Sequence, residues 1–141
     1  DWYYSDAVYA SLYYDYGGPG QYADRQRIAR SFDAQVNVQL PDMVLVLMQA
    51  SPETIRRRVE EGKSPFPDRH ADTLFQAKDA EVVLERFEEE YENSLIPHKF
   101  ALDTTTASVQ ESLAEFKQQI KPFITSQDRL RLLTREILER W

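Results

Sequence analysis

The stretch Pro41-Asp42-Met43-Val44-Leu45-Val46-Leu47-Met48, followed two residues later by Ser51-Pro52-Glu53, decides the fold. Six apolar residues run over 43–48 without alternation. That is the pattern of a strand covered on both faces, as in a parallel sheet. Ser51 is placed to cap a following helix, and Pro52 suits its first turn, where a missing N–H costs nothing. The chain offers one other good strand, Lys99-Phe100-Ala101-Leu102-Asp103. A strand–helix–strand succession at this spacing predicts a parallel pair with a right-handed crossover.

Working outward, Ser5 or Asp6 starts a helix over about 5–14, with Ala7, Val8, Ala10, Leu12 and Tyr13 as packing residues. Gly17-Gly18-Pro19-Gly20 breaks it. A second helix is expected over 22–38, with Ile28, Phe32, Val36 and Ala29 inward. The helix begun at Pro52 stops at Gly62, a normal place for a left-handed cap. Residues 63–75 read as an exposed, lid-like loop holding two prolines, Asp68, Arg69 and His70. A long helix follows over about 79–95, with Val83, Leu84, Phe87 and Tyr91 as its apolar stripe and Glu88, Glu89 and Glu90 as its solvated side. Ser108 and Glu111 form a capping-box pattern for a helix to about 120. Pro122 interrupts, and Thr125 or Ser126 opens a last helix with Leu130, Leu133, Ile137 and Trp141 on one face.

The 141 residues make one domain. A composition 42% apolar and 12% aromatic supports a real core and argues against disorder. A net charge of −7 argues against nucleic-acid and anionic-membrane binding, though not against a local basic site for phosphate. There is no cysteine, hence no disulfide or thiolate metal site, and His70 and His98 are the only histidines. A transition-metal centre is therefore not expected. No apolar run approaches the roughly 20 residues needed to span a bilayer, and no signal-peptide pattern is seen. A cytoplasmic location is the default.

Taken together, Asp1-Trp2-Tyr3-Tyr4-Ser5-Asp6, the 41–48 strand with Ser51-Pro52-Glu53, Arg58, and Lys99-Phe100-Ala101-Leu102-Asp103-Thr104 resemble a P-loop nucleoside or nucleotide kinase of the thymidylate kinase and deoxynucleoside kinase group. The resemblance covers nearly the whole chain, as the C-terminal two-thirds of such an enzyme. It implies an α/β fold: the C-terminal part of a P-loop kinase-like three-layer domain, helix-rich, with a short parallel two-strand sheet. It implies ATP and Mg²⁺ for the complete enzyme and neither for this chain alone, with a small nucleoside or nucleotide as phosphate acceptor. Asp1 matches the family's acidic residue after its third strand, and Trp2 stands where an arginine usually follows. Arg58 matches the arginine on the helix leading into the lid, where a planar fork grips phosphate oxygens during transfer. The lid's further arginine is absent or replaced by Lys63 or Arg69, since Glu61-Gly62-Lys63 stands there. Asp103 and Thr104 match the turn that lies along the adenine base, and Tyr9, Tyr13 and Arg25 are the candidate acceptor contacts.

Plainer roles compete with each of these. Arg56, Arg57 and Arg58 can form a solvated face paired with Glu53, Glu60 and Glu61. Seven tyrosines within the first 22 residues can simply pack helices. Arg25, Arg27 and Arg30 share a helix with Asp24 and Asp33 and can form a face of ion pairs. Asp103 and Thr104 can be an ordinary turn before the Ser108 cap.

Transfer from a nucleotide needs a G-x-x-x-x-G-K-[ST] loop, and the four glycines, Gly17, Gly18, Gly20 and Gly62, have no such spacing. The expectation is that the loop and the first three strands lie upstream of Asp1 and that this isolated chain is inactive. An incomplete sheet then predicts self-association or an N-terminal segment that completes it. A non-catalytic module binding a protein partner through the last helix, or a degenerate kinase relative, is the alternative.

Overall fold

A computed structural model describes residues 3–13, 21–61 and 75–139, with side chains as far as residue 136. Asp1, Lys63, Arg69 and all but the end of the lid-like 63–75 segment lie outside the described residues. The elements in chain order are α1 (Ser5–Tyr13), α2 (Tyr22–Gln39), β1 (Val44–Gln49), α3 (Pro52–Glu60), α4 (Ala80–Asn93), β2 (His98–Asp103), α5 (Val109–Ile120) and α6 (Ser126–Glu139). Single 3₁₀ turns at Ala77–Asp79 and Lys121–Phe123 join them. The protein is a helix-rich α/β fold around a two-stranded sheet.

β1 and β2 are parallel and pair from Val44 with His98 to Gln49 with Asp103. Registered residues on parallel strands share a face. On one face Leu45 enters the main core with Tyr4, Val8, Val83 and Ile96, beneath α4 and α1. Lys99, registered with Leu45, sends its ammonium to the carbonyls of Tyr91 and Glu92 at the end of α4, at 2.7 and 3.1 Å. On the other face Phe100 stacks on Phe123 (centroids 6.1 Å apart, planes 8° apart) and meets Phe116 of α5. Helix, sheet and helix thus form three layers.

The caps follow from local chemistry. Ser51 Oγ accepts from the Thr54 amide at 3.2 Å, with Pro52 in the first turn of α3. Ser108 and Glu111 exchange hydrogen bonds at 3.2 and 2.7 Å. Thr125 and Asp128 do the same for α6 at 3.1 and 3.0 Å. Each pairing satisfies amides that the helix start leaves without partners.

Three sequence expectations are corrected. The 43–48 segment is not covered on both faces: Leu45 is buried, but Met48 is 57% exposed. Met48 lies on the Phe100 face, where α5 packs over β2 and leaves the β1 side of that layer open. On α2, Ile28 and Phe32 are half exposed, while Ala29 packs on the core and Asp33 and Val36 are buried. The helix is rotated by about one position because Asp33 has polar partners inside. Glu90 belongs not to the wet side of α4 but to its interior, with no exposed surface. The spacing of Ala80, Val83, Phe87 and Glu90 sets it on the apolar stripe. No helix among the described residues is long and apolar enough to cross a membrane.

Candidate functional site

The carboxyl ends of β1 and β2 are stitched to α3 by the turn that follows β2. Thr104 donates from its amide and its hydroxyl to the Gln49 carbonyl, at 2.8 and 2.9 Å. Thr105 Oγ1 accepts from the Ser51 amide at 3.0 Å, and the Thr105 carbonyl accepts from Thr54 at 3.4 Å. Arg58, in the last turn of α3, reaches back into this turn. Its Nη1 donates to Thr104 Oγ1 at 3.1 Å and its Nη2 to the Thr104 carbonyl at 2.5 Å. Two expected site residues, Arg58 and Thr104, are therefore in direct contact. Among the described residues Arg58 does not join the solvated ion pairs of its helix, whereas Arg56 does, meeting Glu81 at 2.7 Å and Glu53 at 3.9 Å.

Asp103 stands at the same strand end. Its Oδ1 accepts from the Thr105 amide at 2.8 Å, and these contacts to Thr105 hold its carboxyl below the usual range. Glu53, in the first turn of α3, is likewise lowered by the backbone amides there and by Ser51.

Beside this turn lies an open cleft of about 360 Å³. Gln49, Ser51, Pro52, Leu84 and Thr105 line it, together with the carboxylates of Glu81, Glu85, Glu88 and Asp103. Gln49 Nε2 donates to Glu88 Oε1 at 2.9 Å across it. So lined, the cleft attracts cations and repels phosphate. By themselves these residues do not fit a triphosphate, whose charge requires backbone amides and cations. Among the described residues no group of three or more carboxylates or imidazoles is close enough to hold a metal ion.

The candidate acceptor residues are elsewhere. Tyr9 and Tyr13 lie one turn apart on α1, with ring centroids 5.9 Å apart, and Tyr9 meets Phe87 of α4 edge-on. The Tyr13 hydroxyl donates to Asp79 Oδ2 at 2.8 Å and accepts from the Gln76 amide at 3.3 Å. Burial, the leading cause, pushes both phenols upward. Arg25 bonds Asp6 at 3.3 Å, near the start of α1. Asp6 and Tyr13 are about 10 Å apart along the helix axis. Arg25 therefore stands near the start of α1, with Tyr9 at its middle and Tyr13 at its end.

Sequence reading missed the most polar place in the interior. Arg30 of α2 joins Glu90 of α4 at 2.5 Å and Asp33 at 3.2 Å, both carboxylates being fully buried. Arg30 also donates to the Glu90 carbonyl at 3.2 Å and lies over the Tyr4 ring, 4.9 Å from its centroid. Asp33 accepts from the Tyr4 hydroxyl and from the Leu95 amide. The Tyr4 hydroxyl approaches Ser94 Oγ to 2.5 Å. Glu90 Oε1 has no hydrogen-bond partner among the described residues. The signal was available in spacing: Asp33 shares a stripe with Ala29 and Val36, and Glu90 with Val83 and Phe87.

Comparison with protein-family models, with curated proteins and with solved structures finds no match for the chain.

Proposed function

We infer that the chain is the C-terminal part of a kinase-like phosphotransferase acting on a nucleoside or nucleotide, with ATP and Mg²⁺ as partners of the complete enzyme. The observation that supports this reading is the pair Arg58–Thr104 at the carboxyl ends of two parallel strands. Ligands of open parallel α/β sheets sit outside those ends. Arg58 is the only described arginine whose guanidinium is fixed against the turn after β2, where a phosphate group would need a preset fork. In this reading Arg58 steadies the phosphate, Asp1 orients the acceptor, and Lys63 and Arg69 close over the donor. Asp103 and Thr104 form the turn along the base, and Tyr9, Tyr13 and Arg25 contact the acceptor. The phosphate loop and the strand that pairs with the open edge of β1 come from outside residues 1–141. The enzyme would work in the cytoplasm.

The test is the gene product that includes the sequence upstream of Asp1. A Gly-x-x-x-x-Gly-Lys-Ser/Thr loop there, with transfer of phosphate from ATP to a nucleoside or nucleotide, is the expected result. Loss of most of kcat in Arg58→Ala would place the guanidinium at the reacting phosphate. Absence of the loop, or no consumption of ATP with any nucleoside or nucleoside monophosphate, overturns the reading. The isolated chain should bind no ATP in a calorimetric titration.

A second reading is favoured by α6, which packs extensively against no other described element. Here the chain is a non-catalytic kinase relative that uses α6 as a contact surface for a protein.

A further inference from the structure

We propose that α6 of one copy packs on the acidic outer face of α4 of a second copy. The proposal rests on the second reading's use of α6 as a contact surface, and it names the partner.

The first observation is the state of α6. Leu130, Leu132 and Leu133 are 64%, 57% and 57% exposed, and none of the side chains described over residues 126–136 is buried. A lone helix of 14 residues is marginal in water, where about 12–15 residues are needed even for good helix formers. Its cap at Thr125–Asp128 fixes where it starts but supplies no packing.

Charge decides what covers it. One side of α6 presents Gln127, Leu130, Arg131, Thr134 and Arg135 around a shallow depression, and no carboxylate is among them. Arg131 and Arg135 are one turn apart. On α4 the residues lining the open cleft are Glu81, Leu84, Glu85 and Glu88, again at one-turn steps. α4 carries six acidic residues against Arg86 alone. Residues one turn apart on a helix are about 5–6 Å apart, so the two guanidinium groups and the three carboxylates are spaced at the same pitch. Leu130 and Leu84 supply an apolar contact between them. Both helices are 14 residues long, so the faces match in extent. Gln49 on Glu88 and Arg56 on Glu81 occupy part of the acidic face, and Glu85 between them is outside both contacts. If each copy gives its α6 and receives its partner's, the contact occurs twice and the assembly closes as a twofold dimer.

The experiment uses charge exchange on the whole chain. Wild-type protein should associate as concentration rises in light scattering or sedimentation, and added salt should weaken the association. Arg131→Glu/Arg135→Glu and Glu85→Lys/Glu88→Lys should each associate at least about tenfold more weakly, because like charges then face each other. An equimolar mixture of the two variants should associate again, since every interface in the mixed dimer is complementary. All four positions are exposed or half exposed, so folding should survive, which circular dichroism verifies. A monomer at every concentration, or association unchanged in either variant, or a mixture that does not recover, overturns the pairing. Association through the open edge of β1 would give the unchanged result. Hydrogen exchange separates the two levels. Protection of α6 that grows with concentration but ignores both charge reversals keeps α6 as a contact surface and rejects α4 as its target. An α6 that exchanges as a free helix throughout rejects both.

Discussion

Tyr4 and Asp33, 29 positions apart, meet in a two-pronged hydrogen bond: the phenol lies 2.9 and 3.0 Å from the two carboxylate oxygens, in the interior. This contact ties the start of the chain to the middle of α2. Arg30 and Glu90 extend it to α4.

The network sets the first prediction. Arg30 is the cation between two fully buried carboxylates. Replacing it with methionine strands both charges, and breaking a buried ion pair in this way costs about 3–5 kcal/mol. Tyr4→Phe leaves Asp33 the Leu95 amide, so the loss should be nearer 1–3 kcal/mol. Urea unfolding followed by circular dichroism measures both. Equal losses would mean that Arg30 is not the element that holds the pair.

Alkali should unfold the protein in a defined window. Burial raises the phenols of Tyr4, Tyr9 and Tyr22 well above the ordinary 10, and pushes Tyr3 up to about 12 with the help of Asp33. A phenol whose pKa is higher in the folded state contributes stability that is complete below the unfolded value and disappears as pH rises past it. Thermal stability should therefore hold to about pH 10 and fall above it. Absorbance at the phenolate band should show a group of tyrosines that ionise only as the fold is lost. A smooth titration of all tyrosines near 10 in folded protein would contradict this.

Acid acts with the opposite sign. Glu53, Asp103, Glu111 and Asp128 are each held below their usual values, Glu53 chiefly by backbone amides, Asp103 by Thr105, Glu111 by Ser108 and Asp128 by Thr125. Lowered carboxyls contribute stability above their unfolded pKa, about 4, and lose it as pH falls through the folded value. Melting temperature should drop below about pH 4 and the drop should shrink in Glu111→Gln. Ser108→Ala, which removes the other half of that cap, should cost about 1 kcal/mol at neutral pH.

Arg58→Lys tests the fork directly. Lysine keeps the charge but cannot reach the hydroxyl and the carbonyl of Thr104 with fixed geometry. Hydrogen bonds from a charged group contribute about 1.5–3 kcal/mol, and the variant should lose part of that, with faster amide exchange at Thr104 and Thr105. Unchanged exchange there would show that the turn is held by its bonds to Gln49 and Ser51 alone.

Much of the architecture was legible in sequence. The unbroken apolar run at 43–48, the Ser51-Pro52 start and the Ser108–Glu111 box each gave an element at the right place, because each is a local rule. The parallel pair followed from spacing alone. The side chains that turned out otherwise depend on neighbours far along the chain. Phe32 looked internal by type, yet Asp33 is the inward residue because Tyr4, Ser94 and Leu95 offer it hydrogen bonds. Glu90 looked solvated by type, yet Arg30 draws it inside. Met48 looked covered, and whether a strand's second face is covered depends on which layers the rest of the protein provides. Arg58 was singled out by resemblance, while its contact with Thr104 came only from the structure.

The register of the sheet has a kinetic consequence. Val44 pairs with His98 and Gln49 with Asp103, so every bond of the central ladder joins positions more than fifty residues apart. Closing such a loop precedes any reward from pairing, and chains dominated by distant contacts reach their native state slowly. The apolar 43–48 segment is synthesised long before its partner emerges. In that interval it is exposed to other chains, and the yield of refolded protein should fall as the concentration during refolding rises.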